Sequence, residues 1–257
     1  MQVITLLNEK GGVGKTTLSV HIAAGMAIRG KRVLLIDTDA QGSATSQLDL
    51  PDTGGLYQLL VKDAEWNKVL LEPSAWAGAA KPKGSLWVVS SNLETRAIPL
   101  LVDDVRLLSD RLTELDEHVD MVIVDTSPTP SLLHSMIYVA SDYMVYPTQC
   151  ELMSMQGLAK SVAHMQRMKD TRRAFNLDPT RLLGVQPTMF EAHTLAHKHG
   201  MELIQKQFGG ATWRPIADRT IWKQASFQQQ TIFAYAPESE AALEMWEVVD
   251  NIEEGIA

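Results

Sequence analysis

The ten residues Asn8–Thr17, NEKGGVGKTT, constrain what this chain can fold into more than any other segment. Gly11, Gly12 and Gly14 let the backbone curl so that successive N–H groups face one point, and a helix starting near Thr16 adds its positive N-terminal end. That is a cradle for phosphate. Lys15 is spaced to reach the β and γ phosphates of a nucleotide, and the Thr16 hydroxyl to join a Mg²⁺ shell. The loop requires a strand before it and a helix after it, and the sequence supplies both. The usual pattern asks for Gly, four residues, then Gly-Lys-Ser/Thr; here Glu9 stands where the first glycine belongs, and a second lysine, Lys10, follows it. One lysine suffices for a chain's own phosphates, so Lys10 needs a separate explanation.

Short β-branched runs alternate with segments of helical period, at 3–7, 33–37, 86–91, 121–127, 143–148 and 182–189. Strands this continuously apolar are buried on both faces, which predicts a mostly parallel twisted sheet flanked by helices. With no repeat and no long linker, the chain reads as a single α/β domain over residues 1–257. Ligands of such sheets sit at the carboxyl ends of the strands, where the glycine-rich and acidic residues of this sequence fall. The stretch EPSAWAGAAKPKGS (72–85) reads as a mobile surface excursion. Ala242, Met245, Trp246 and Val249 share one face of a terminal helix expected to dock on the body.

Two acidic sites lie at strand ends: Asp37 and Asp39 in VLLIDTDAQG, and Asp125 in MVIVDTSPTPS. Carboxylates beside a phosphate loop hold Mg²⁺ through its water shell or orient an attacking water. A strand-terminal Asp can equally begin a turn, the plainer alternative for Asp37 taken alone.

Composition, 45% hydrophobic and 21% charged, is ordinary for a soluble protein. The lone Cys150 excludes an internal disulfide and paired thiols for a cluster. With no signal peptide and no apolar run of about 20 residues, the expected location is the cytoplasm. A net charge of -8 argues against coating nucleic acid with the whole surface. The charge is unevenly spread: Lys160 to Lys223 holds eleven bases against five acids, and Glu238 to Glu254 seven acids and no base. On composition alone these are solvated helix faces. In HTLAHKH, His193 and His197 are four apart, a spacing that can bind zinc, but a third ligand is missing and a polar helix face is the better account.

KGGVGKTT, DTDAQGSAT and VDMVIVDTSP together resemble the ParA/MinD family of deviant Walker A ATPases, and are most similar to its ParA-type partition and positioning members. QCELMSMQGLAK (149–160) and IFAYAPESEAALEM (232–245) extend the resemblance over nearly the whole chain. It implies ATP and Mg²⁺ as cofactors, slow hydrolysis, and a face-to-face homodimer formed on ATP binding in which Lys10 crosses to the partner's phosphates. Carried over by position, Lys10, Gly11, Gly12, Val13, Gly14, Lys15, Thr16, Thr17 and Gln41 surround nucleotide, and Glu151 reaches the partner's nucleotide. Thr16, Asp39 and Asp125 serve the metal, Asp39 positions the hydrolytic water, and Lys10, Lys15, Asp39 and Asp125 form the catalytic set.

ParA-type dimers bind DNA without sequence preference, through phosphate neutralisation. The basic segment supplies Arg167, Lys169, Arg172, Arg173, Lys198, Lys206, Arg214, Arg219 and Lys223 as candidates. The pattern also has departures. Ala40 and Ser127 stand where the family usually has proline, and Ile221 where it usually has a DNA-contacting base, with Arg219 and Lys223 close by. The resemblance implies a nucleoid-associated protein, a separate adaptor that stimulates hydrolysis, and a cargo: a plasmid, a chromosome region or a protein organelle such as a carboxysome. A MinD-like membrane-cycling regulator would need a basic amphipathic tail, whereas WEVVDNIEEGIA is acidic, so no membrane partner is expected. An assembly or metabolic ATPase of the same superfamily would need substrate residues or cluster cysteines.

Overall fold

A computed structural model describes residues 1–78 and 82–257. Seven strands, β1 (Gln2–Leu6), β2 (Arg32–Asp37), β3 (Leu70–Leu71), β4 (Ser85–Val89), β5 (Met121–Asp125), β6 (Tyr143–Gln149) and β7 (Arg181–Thr188), form one sheet in the order β3-β4-β2-β5-β1-β6-β7. All neighbours are parallel except β3, which runs antiparallel to β4. The six apolar runs are all strands. The two-residue β3 is too short to carry a period and is absent from the sequence reading.

Residues of the central strands alternate between two cores. Ile4, Leu6, Val33, Leu35 and Ile123 pack on one face with the helix Lys15–Ile28 and the C-terminal helix Glu240–Ile256. Val3, Leu34, Ile36, Val122 and Val124 pack on the other, against Leu56, Leu108, Met136 and Ile137. Period-two burial on both faces makes these strands read as unbroken apolar runs. A third cluster, around Tyr138, Tyr146 and Met165, lies under the long helix Leu152–Ala174.

The chain leaves β1 for β2 on one side and leaves β5 for β6 on the other, so the strand order reverses between β1 and β5. A crevice opens at such a reversal, and the phosphate loop and Asp125 flank it. The terminal helix docks as its pattern requires, with Ala242, Met245 and Val249 buried and Trp246 stacked on Phe233. The 72–85 stretch differs from expectation. Residues 79–81 lie outside the described residues, but Trp76 and Ala77 are buried in the first core, and Thr231 Oγ1 donates to the Trp76 carbonyl at 2.5 Å. An indole that can reach the core anchors a segment whose Ala, Gly and Pro suggest looseness.

Candidate nucleotide site

The loop between β1 and the helix Lys15–Ile28 turns through Gly12 (φ +76°) and Gly14 (φ +85°), left-handed positions that a β-carbon would strain. No side chain caps this 14-residue helix, so its first N–H groups remain available to an anion. Lys15 folds back over the loop, and its Nζ donates to the carbonyls of Asn8 and Lys10, each at 3.1 Å. Burial lowers the Lys15 pKa, and the nearby charges of Asp125 and Asp39 oppose that shift.

Lys10 goes elsewhere. Its Nζ donates to Gln149 Oε1 (3.1 Å), Glu151 Oε2 (3.1 Å) and Ser154 Oγ (2.9 Å), at the end of β6 and the start of the long helix. That helix presses on the loop. A β-carbon on Gly157 would lie 2.7 Å from Asn8 Oδ1, and Ser161 Oγ accepts the Glu9 N–H at 3.3 Å.

Strand register sets Asp37 beside Asp125. Asp125 is fully buried; its Oδ2 accepts from Thr16 Oγ1 at 2.8 Å and its Oδ1 from Ser19 Oγ at 3.0 Å. Ser19, three residues after Thr16 on the same helix face, went unmarked in the sequence reading. Asp37 Oδ1 accepts the Asp39 N–H, and Oδ2 accepts the Thr45 N–H and hydroxyl. It therefore shapes the Asp37–Thr45 turn, the alternative its position left open. Burial pushes both carboxyl pKa values up, and for Asp125 the neighbouring Asp37 adds to the rise. Asp39 is half-buried at the crevice, its Oδ1 accepting the Gln41 N–H at 3.0 Å.

Four clefts adjoin along the carboxyl ends of the strands, and three of them border the phosphate loop or Asp39. The central one, about 590 Å³, is lined by Gly12, Lys15, Thr16, Asp39 and Gln41. Beyond Gly14 and Thr17 lies a largely apolar cleft of about 520 Å³, with Thr188, Met189, Trp222 and Phe227 in its walls. These residues belong to no phosphate-loop motif, and segments far apart in sequence assemble them. Beyond Asp39 on the other side is a chamber of about 440 Å³. A glycine cradle, an uncapped helix start and a hydroxyl–carboxylate pair at the floor fit a Mg²⁺-bound nucleoside triphosphate in the first two clefts.

The basic candidates divide. Arg172 is 3% exposed and donates to the carbonyls of Val139, Ser141 and Asp178, so it is a structural residue and not a DNA contact. Carbonyls left over at the junction of two elements hold a guanidinium more firmly than solvent does. Arg214 pairs with Glu247 and Arg219 with Glu244, both on the acidic terminal helix, and Arg173 pairs with Asp170. Arg167, Lys198, Lys206 and Lys223 are exposed, Lys169 is partly so, and none of the five has an ion-pair partner among the described residues. Ile221 packs against the first core, while Arg219 and Lys223 line the apolar cleft. His193 precedes the helix Leu195–Phe208, and His197 Nδ1 accepts the Glu191 N–H, so the two do not form a helical pair.

A phosphate loop at the strand reversal, with carboxylates ending β2 and β5, defines a P-loop nucleotide-binding protein. A family profile described as an AAA domain matches residues 1–177. The sporulation initiation inhibitor protein Soj of Bacillus subtilis is 30% identical over 94% of this chain and 94% of its own length. The chromosome-partitioning ATPase Soj of Thermus thermophilus is 32% identical over 93% and 90%. In fold, the chain is similar to a cobyrinic acid a,c-diamide synthase from Mycobacterium smegmatis with bound ADP and magnesium, at a TM-score of 0.79 and 22% identity over 99% of this chain and 94% of that one. The chain belongs to the ParA/MinD family of ATPases. It is an ATPase.

Proposed function

We propose that this protein is a ParA-type partition or positioning ATPase, a single domain that closes face to face as a homodimer on ATP and binds DNA non-specifically in that state. Slow hydrolysis, stimulated by a separate adaptor protein, resets it, and its place of work is the nucleoid. The observation that carries the reading is the separation of the two loop lysines. Lys15 covers its own loop, whereas Lys10 is held at the mouth of β6 by Glu151 and its neighbours, clear of the Lys15 ammonium. A cation so placed serves a nucleotide presented by a second subunit. The neighbouring surface supports this: Leu152 and Met153, between the Lys10 partners Glu151 and Ser154, are both more than half exposed. Large apolar side chains left exposed beside a charged site fit an interaction surface.

Within one subunit, the loop N–H groups and Lys15 hold the β and γ phosphates, and the apolar cleft takes the base. Thr16, Asp39 and Asp125 would hold Mg²⁺, which would supply charge neutralisation to the phosphates. Asp39 accepts a hydrogen bond from the attacking water and aims it at the γ phosphorus, while Asp37 fixes the turn that carries Asp39. Exposed Arg167, Arg173, Lys198 and Lys223 and the partly exposed Lys169, doubled by dimerisation, supply contacts to DNA phosphates.

Sedimentation with Mg-ATP tests the dimer. Asp39→Ala should be trapped as a dimer, and the double variant Asp39→Ala, Lys10→Ala should stay monomeric while retaining ATP. Equal dimerisation of the two would remove the basis of this reading.

A further inference from the structure

Base and triphosphate account for two of the three clefts that border the phosphate loop or Asp39, and the third remains. It shares Asp39, Gln41 and Pro128 with the central cleft, so it opens on the γ-phosphate end, across Asp39. Its volume of about 440 Å³ admits a small polyatomic ion together with several waters at about 30 Å³ each. Among its lining residues Asp39 is the one carboxylate and Arg96 the one guanidinium, with hydroxyls from Ser127, Thr129 and Ser131. Arg96 is exposed and has no ion-pair partner among the described residues.

His134 builds the wall. Its Nε2 donates to the Ser127 carbonyl at 3.0 Å, leaving Nδ1 to accept from Ser131 Oγ at 3.4 Å, so the buried ring ties down both ends of the Ser127–Ser131 loop. Ala40 and Ser127, the two positions where the family pattern usually has proline, both line the chamber. Small side chains there keep it open.

We propose that this chamber is a binding site for inorganic phosphate, through which the hydrolysis product passes on its way from the γ position. The inference rests on the ATPase dimer proposed above: with the partner covering the front of the central cleft, the product needs another way out, and the chamber begins where the γ phosphate ends. A dianion is held there by the Arg96 guanidinium and the Thr129 hydroxyl, the hydroxyls of Ser127 and Ser131 being taken up within their own loop, and such charge-assisted hydrogen bonds are what bind phosphate.

Equilibrium dialysis with radiolabelled inorganic phosphate tests it, on full-length protein saturated with Mg²⁺ and a non-hydrolysable ATP analogue so that both other clefts are filled. The expected result is one phosphate bound per chain. Arg96→Gln should weaken it about tenfold or more, and Arg96→Lys should restore it to within about threefold, with analogue affinity unchanged throughout. Loss of phosphate binding once the analogue is bound would place phosphate only at the γ position and overturn the proposal. Equal binding by Arg96→Gln would overturn it as well. Failure to retain the analogue would instead sink the nucleotide reading, and this one with it.

Discussion

Lys10 and Lys15 lie in one loop, yet their ammonium groups make opposite demands on it. Lys15 is nearly buried among carbonyls and gains its purpose when phosphate arrives. Lys15→Ala should abolish ATP binding, measured by fluorescent-nucleotide titration. Asp39→Ala should bind ATP normally and turn over far more slowly; hydrolysis at the unmodified rate would end its assignment as the water-positioning group. His21 carries a prediction of another kind. Its Nδ1 donates to the Thr17 carbonyl and its Nε2 accepts the Ile232 N–H, so it is buried neutral, with its pKa pushed down by burial from 6.5 to about 4. Above pH 6.5 neither the folded nor the unfolded chain protonates it. As pH falls from 6.5 towards 4 the unfolded chain gains a proton that the folded one refuses, and stability drops by about 1.4 kcal/mol per pH unit, roughly 3 kcal/mol in all. The difference in urea-unfolding stability between the unmodified protein and His21→Gln should show that slope across this range, because the raised carboxyls of Asp37 and Asp125, whose linkage has the opposite sign, are common to both.

The long helix Leu152–Ala174 connects the loop to the basic region as a single element. Its first turns hold Lys10, Gly157 lets it approach Asn8, and its last turns carry Arg167, Lys169 and Arg173. Asn8 cannot yield to a side chain at Gly157, because its amide is fixed to the Pro147 carbonyl at 2.8 Å and its Oδ1 accepts the Lys10 N–H at 2.9 Å. Gly157→Ala should therefore cost about 1–3 kcal/mol of stability in chemical denaturation and weaken nucleotide binding by displacing the loop. No sequence pattern announced this contact, since Gly157 sits within an unremarkable helix and Asn8 is far away in the chain. The strands were legible for the opposite reason: burial on both faces writes an apolar run into each. The loop residues Lys15 and Thr16 and the strand-end Asp125 were legible because their spacing is local. Trp76, the apolar cleft and the third chamber were not, because residues from distant loops meet only after the sheet has formed.

Over the whole molecule, charge is arranged differently in space than in sequence. The acidic helix Glu240–Ile256 lies against Arg29, Arg214 and Arg219, so part of the basic surplus is neutralised where it stands. Arg172 is withdrawn into the interior. Of the candidate bases, Arg167, Lys169, Lys198, Lys206 and Lys223 stay without an ion-pair partner among the described residues and remain for an outside polyanion. In the proposed ATP-joined dimer two subunits would present twice the number, and affinity for DNA would then report nucleotide state. Each phosphate neutralised contributes about 0.9 to the negative slope of log affinity against log salt. Removing one true contact per subunit, as in Lys198→Ala, should lower the dimer's slope by about 2 and weaken all DNA sequences alike. Arg172→Ala should behave otherwise: it leaves several carbonyls unpaired in the interior, lowers stability by about 2–5 kcal/mol, and keeps the salt slope of whatever protein remains folded. Salt titrations of the ATP-trapped Asp39→Ala dimer, paired with denaturation of each variant, separate the two. An unchanged slope in every surface variant would show that DNA is not read by this basic face.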